Sequence, residues 1–187
     1  IRISIKWIVM KKGFITAALL FSFLINSACT SLGIQSESAV EILYSSPDRI
    51  SFQGKGAGAG MALMSSMGPV GIALGVAIDE GIAKDIRETA QQGGVDFKAL
   101  LNSAIADVSA LQQAERIEVK RYGFVIKDGS KDYVAAEIHL NVMQDGQSED
   151  LVLSSWNRQQ AEEYWVTMDD IKTKSGSIQS LFEMALK

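Results

Sequence analysis

Few side chains in this chain of 187 residues could carry out chemistry. His139 is the only histidine and Cys29 the only cysteine, so we predict no zinc site, because zinc draws its ligands from several such residues. His139 lies on the polar side of a predicted strand, where we expect it to be exposed rather than catalytic. Carboxylates occur as neighbours four times, at Asp79-Glu80, Glu149-Asp150, Glu162-Glu163 and Asp169-Asp170.

These paired carboxylates could serve glycoside hydrolysis. That reaction needs two carboxyl groups held apart across a cleft, which adjacency in sequence does not provide. The Gly-x-Ser-x-Gly elbow of serine hydrolases is also missing. We therefore predict a protein that is not an enzyme and has no cofactor, and keep a carboxylate-dependent envelope hydrolase as the second alternative.

Cys29 ends a segment organised like a secretory signal. Two lysines follow Met10, an apolar run of twelve residues spans 14–25, and small residues precede the cysteine. As a helix, twelve residues cover about 18 Å, too short for a hydrocarbon core of about 30 Å. We predict a signal peptide over residues 1–28, of which 1–9 lie upstream of the true start.

The end of this segment, Ser27-Ala28-Cys29, resembles the lipobox of bacterial lipoproteins. The resemblance implies that the Cys29 thiol carries a diacylglyceryl group and that cleavage leaves Cys29 as an acylated amino terminus. In that class a residue other than Asp after the cysteine, here Thr30, implies the outer membrane of a Gram-negative envelope, facing the periplasm. A lone thiol without a disulfide partner agrees with an anchoring role.

The processed chain is acidic. Residues 1–28 contain four of the 18 cationic side chains and none of the 22 acidic ones, so their removal leaves 14 against 22, a net charge of −8. Nucleic-acid binding depends on cationic contacts with phosphates, so we expect no nucleic-acid partner. We expect contact with a membrane through the lipid anchor, and a protein partner in the envelope.

Hydrophobic periodicity predicts one α+β domain over residues 39–187, preceded by a polar tether over 29–38. Two short strands, 39–44 and 50–53, flank Ser46-Pro47-Asp48 and predict a hairpin. Three further strands, predicted at 116–127, 133–143 and 151–156, are separated by Asp128-Gly129 and Asp145-Gly146 and form an antiparallel meander.

Helices are predicted between and after these strands. One begins at Pro69 and ends near Gly93, a second follows the N-cap Asp96, and a last one follows Ser177. The first carries apolar residues at a spacing of four: Val70, Leu74, Ile78, Ile82 and Ile86. Segment 160–171 fits either helix or strand. The whole pattern predicts an antiparallel sheet packed by helices in a two-layer sandwich.

The segment 56–78 is unusual, with 23 residues, no charge and six glycines. Its glycines match neither the dinucleotide fingerprint nor a phosphate loop. Gly71 and Gly75, preceded by Gly68, have a spacing that allows close helix contact, and locally resemble glycine-zipper membrane proteins. Two interpretations stay open: a helix packed tightly on its own sheet, or a segment that forms homo-oligomers or inserts into a membrane.

Three aromatic residues lie within ten positions of each other and could form a binding platform or pack in the core: Trp156, Tyr164 and Trp165. The leading functional hypothesis is a lipid-anchored binding or assembly factor that acts on another envelope component. The first alternative is a glycine-zipper protein that self-associates or enters the membrane through 56–78.

Overall fold

The structure, a computed structural model, describes residues 40–109, 111–126, 130, 132–159 and 164–187. The predicted signal peptide, Cys29, the predicted tether, the Asp128-Gly129 turn and Glu162-Glu163 lie outside these residues.

Six strands form a single sheet in the described part of the chain. They are β1 (Glu41–Tyr44), β2 (Ser51–Gln53), β3 (Arg116–Ile126), β4 (Tyr133–Gln144), β5 (Gln147–Ser154) and β6 (Val166–Thr167). The main order is β1-β3-β4-β5, with β2 also paired to β3 and β6 to β4. The antiparallel meander β3-β4-β5 is confirmed, and the turn at Asp145-Gly146 joins its last two strands through two residues with positive φ.

The central strand β4 shows why one face of the sheet is covered and the other is open. Alternate residues from Val134 to Val142 are buried, whereas Glu137, His139 and Asn141 are partly exposed. Side chains of successive residues point to opposite faces of a strand, so the apolar set meets the helices and the polar set meets solvent. The predicted alternation in this strand is confirmed.

The predicted hairpin between the first two strands is wrong. Both β1 and β2 run parallel to β3, with Tyr44 opposite Val119 and Ser51 opposite Gly123. They occupy consecutive stretches of the same edge, because the segment around Pro47 loops out of line without reversing the chain. A turn signal indicates an interruption, and here the long β3 offers enough edge to pair with the chain on both sides of it.

Five helices are present in the described residues: α1 (Lys55–Met67), α2 (Pro69–Gln92), α3 (Phe97–Ala104), α4 (Met168–Thr173) and α5 (Ser175–Ala185). The side chain of Asp96 accepts hydrogen bonds from the amides of Lys98 and Ala99, so the predicted N-cap of α3 is confirmed. In the described part of segment 160–171, which fits either helix or strand by sequence, strand β6 is followed by helix α4, whose N-cap is Thr167.

The core lies between the sheet and four of these helices. Phe182 of α5 packs against Phe124 of β3 with ring centroids 4.9 Å apart, and Phe97 of α3 stacks on Tyr122 at 4.0 Å. The second half of α2 contributes Ala83, Ile86 and Ala90. The α+β class and its helix-covered sheet are therefore as predicted.

Candidate functional site

The helices α1 and α2 form a hairpin that extends beyond the sheet. In the C-terminal half of α2, the side chain of Arg87 donates a hydrogen bond to the carbonyl of Ile50 at 3.0 Å. Eight residues earlier on the same helix, the side chain of Asp79 accepts a hydrogen bond from the amide of Gly54 at 3.2 Å. The helix therefore runs antiparallel to β2. Its first ten residues continue past the end of that strand, and α1 packs along them.

Four glycines form the contact between the two helices. A Cβ on Gly71 would lie 2.6 Å from the carbonyl carbon of Leu63, and one on Gly60 would lie 3.2 Å from the carbonyl oxygen of Gly71. Gly56 and Gly75 are closer still, since a Cβ on either would overlap the other's carbonyl group. The two backbones touch directly, which only residues without side chains permit.

The predicted set of Gly68, Gly71 and Gly75 is thus divided by the structure. Gly71 and Gly75 lie at the contact with α1, whereas Gly68 has open space around it and forms the turn with φ of 59°. Sequence reasoning missed the partner glycines, Gly56 and Gly60. Their spacing of four equals that of Gly71 and Gly75, and this repeated spacing was the available signal.

Asp79 fixes the base of the hairpin. Its two carboxylate oxygens accept hydrogen bonds from the amides of Gly56 at 2.6 Å and Gly54 at 3.2 Å. The first amides of a helix have no partner within the helix, and α1 has no side-chain cap of its own. A carboxylate from α2 therefore caps α1 and ties the two helices together.

Removing this cap should loosen α1 selectively. For Asp79→Ala we expect a loss of about 0.5–2 kcal/mol from the local stability of α1, the usual range for a lost N-cap. Amide hydrogen exchange should accelerate in α1 and stay unchanged in β4. Glu88→Ala on the same helix is the control, because the Glu88 side chain is exposed and forms a surface ion pair with Lys84 at 3.8 Å. Equal exchange in the two variants would contradict the capping role.

The outer surface of the hairpin is apolar on every side. Of residues 56–78, sixteen are exposed, three are intermediate, and only the four contact glycines are buried. Eight large apolar side chains are among the exposed ones: Met61, Met64, Met67, Val70, Ile72, Leu74, Val76 and Ile78. Exposed apolar area this concentrated marks an interaction site.

The apolar stripe predicted on α2 is buried only toward its C-terminal end. Val70 is 60% exposed and Leu74 44% exposed, whereas Ile86 at the other end of the stripe is fully buried. In the first half of α2 the buried face is the glycine face, because glycines allow the closest helix approach. The aliphatic side chains beside them are left outside.

Charged residues begin where the hairpin meets the domain. Lys55 pairs with Asp132 at 2.9 Å, and Glu80 pairs with Arg87 at 2.6 Å and with Arg49 at 3.4 Å. These five side chains form a charged collar around the base of the apolar hairpin.

Of the three aromatic residues expected to form a binding platform or to pack in the core, Trp165 takes part in the domain's packing. The ring of Trp165 lies 4.9 Å from that of Tyr133, and its indole nitrogen donates to the carbonyl of Gln159 at 3.0 Å. Tyr164 is half exposed, and Trp156 lies in a short 3₁₀ helix, Ser155–Asn157. These contacts fix the segment after β5 against β4.

His139 belongs to a polar cluster on the open face of the sheet. Its Nε2 lies 2.7 Å from Nη2 of Arg121 and 3.2 Å from a carboxylate oxygen of Glu137. A guanidinium only donates, so in its contact with Arg121 the Nε2 atom accepts. The cluster ties β3 to β4 on this face.

In the described carboxylate pairs, the side chains cap helices, form ion pairs or lie exposed on the surface. Asp79 caps α1, Glu80 belongs to the collar, and Glu149 and Asp150 point to opposite faces of β5. Hydrogen bonds from Lys174 and Thr167 lower the pKa of Asp170 to about 2, so this carboxyl is ionised near neutral pH and is a poor general acid. Among described residues, no cluster of His, Cys, Asp and Glu could hold a metal ion.

Comparison with known proteins adds no relative. No protein-family model, curated protein or solved structure matches the chain. Within the part of the chain that the structure describes, no helix has the length and apolar character needed to cross a membrane. The hairpin is therefore the candidate functional site on its geometry alone.

Proposed function

We propose that this chain is a non-enzymatic, lipid-anchored protein of the bacterial envelope that binds another envelope component through the α1–α2 hairpin. The observation that carries the proposal is the exposed, charge-free surface of residues 56–78 on a folded domain. A domain gains nothing in water from displaying eight large apolar side chains, and exposed apolar area this concentrated is typical of an interaction site.

The signal segment ending at Cys29 supports the location. An acylated Cys29 would hold the domain at the outer membrane on its periplasmic side, as the resemblance to bacterial lipoproteins implies. The self-association alternative has less support, because Gly71 and Gly75 already face Gly56 and Gly60 within the chain. Homo-oligomers would have to form through the outer surface of the hairpin.

The anchor is tested by replacing its thiol. For Cys29→Ser we expect complete loss of palmitate labelling, because the thiol is the acylation site in the lipoprotein class. Mass spectrometry should find the mature wild-type chain beginning at acylated Cys29. An unlabelled wild-type protein, or a different amino terminus, would contradict the lipoprotein assignment.

The binding role of the hairpin is tested with its own methionines. A water-soluble peroxide should oxidise Met61, Met64 and Met67 more slowly in intact envelopes than in purified residues 36–187 free of membrane. Met143, on the open face of the sheet, serves as the internal reference in both samples. Equal oxidation of the three hairpin methionines in both samples would show an uncovered hairpin and refute the binding role.

A further inference from the structure

We infer that the occupant of the hairpin surface is lipid: residues 56–78 insert into the acyl region of one leaflet of a bilayer. This inference rests on the proposed function and specifies the component that the hairpin binds. Four properties of the described residues support lipid over a protein groove or a second copy.

The first property is the distribution of the apolar side chains around α2. Val70 and Leu74 lie on one side of the glycine face, and Ile72 and Val76 lie on the other. A helix that docks in a protein groove presents one apolar stripe and keeps a polar back. A hairpin that is apolar on all sides fits surroundings that contact it from all sides, as acyl chains do.

The second property is that both polar side chains and an amide at the turn are hydrogen-bonded within the hairpin. The only polar side chains in 56–78 are Ser65 and Ser66, and their hydroxyls donate to the carbonyls of Ala62 at 3.0 Å and Leu63 at 3.2 Å. At the turn, the amide of Gly68 donates to Met64, and Pro69 has no amide hydrogen to satisfy. In hydrocarbon no water replaces a missing hydrogen bond, so such internal bonding is required.

The third property is length. Residues 56–67 of α1 cover about 18 Å at the helical rise per residue. The hydrocarbon core of a bilayer is about 30 Å thick, so this length matches one leaflet. The hairpin returns the chain to the side from which it enters, which places the turn at Gly68 deepest and the charged collar at the headgroups.

The fourth property is charge. Residues 56–78 carry no charge, and the processed chain has a net charge of −8, so attraction to anionic headgroups does not drive the contact. The collar instead contains both signs, with Lys55 paired to Asp132 and Arg49 paired to Glu80. Such a collar suits the polar headgroup region and sets the depth at which insertion stops.

Site-specific photo-cross-linking in the full-length protein tests this inference in intact envelopes. A benzophenone amino acid replaces Met64 on α1, Val76 on α2, or Lys84, an exposed control on the charged second half of α2. We expect the probes at Met64 and Val76 to give adducts with the mass of a phospholipid. The probe at Lys84 should give at least tenfold less of this adduct.

Each other outcome overturns the lipid assignment in a distinct way. Adducts of the Met64 and Val76 probes with a second copy, or with a different protein, leave the binding role of the hairpin standing with another occupant. Equal lipid adducts at all three sites show nearness to the membrane without insertion. No adduct at Met64 or Val76, together with unprotected methionines, removes the proposed function as well.

Discussion

Ile138→Asp is expected to prevent folding of the whole domain. Ile138 is fully buried in β4, the central strand, and faces the helix layer. The substitution removes a core side chain, which costs about 2–5 kcal/mol, and adds a buried carboxylate without a partner. Since domains of this size are stable by about 5–15 kcal/mol, the combined loss should leave the chain unfolded at room temperature.

Circular dichroism and thermal unfolding measure this effect directly. Val152→Asp is the matched control, because Val152 lies on the neighbouring strand β5 and is 53% exposed. It introduces the same side chain in the same secondary structure and should melt close to wild type. A cooperative transition for Ile138→Asp near the wild-type temperature would show that the sheet does not bury this face.

Gly75→Leu should open the helical hairpin. The new Cβ would overlap the carbonyl of Gly56, which is backbone and has no rotamer in which to move aside. Overpacking typically costs about 1–3 kcal/mol when side chains can adjust, and we expect at least the upper end here. The domain should stay folded, because the part of α2 that enters the core begins at Ala83, about two turns away.

Hydrogen exchange and sedimentation distinguish the expected outcomes for Gly75→Leu. Protection should be lost in α1 and kept in the sheet, with the protein monomeric at every concentration. Gly81→Leu is the control on the same helix, since a Cβ at Gly81 meets nothing within 4 Å. Wild-type protection of α1 in Gly75→Leu would contradict the intrachain glycine contact, and a wild-type oligomer lost in this variant would support self-association.

The sheet and the core-facing helices could be predicted because their signals are local. The alternation in β4, the Asp145-Gly146 turn and the N-cap Asp96 each depend on residues a few positions apart. The same reasoning failed at β1 and β2, whose partner β3 lies more than sixty residues later. The turn motif Ser46-Pro47-Asp48 gives no information about pairing with a strand that far along the chain.

The sequence showed that residues 56–78 are unusual, but it did not predict that they form two helices packed against each other. Residues 55–67 are rich in glycine and alanine, so they lack the apolar periodicity that predicted α2. The contact depends on Gly56 meeting Gly75 across a turn, a match between two segments rather than a property of either. The rule that the apolar stripe is buried also fails in the first half of α2, because the smallest residues occupy the buried face.

The hydrogen bonds from Gly54 and Gly56 to Asp79 have a consequence for the architecture of the chain. The chain leaves the domain and returns to it at nearly the same point, so the α1–α2 segment is an insertion between two adjacent positions. A linker of a few residues would close that gap without moving β2 or the second half of α2. We therefore expect the domain and its apolar appendage to be separable modules.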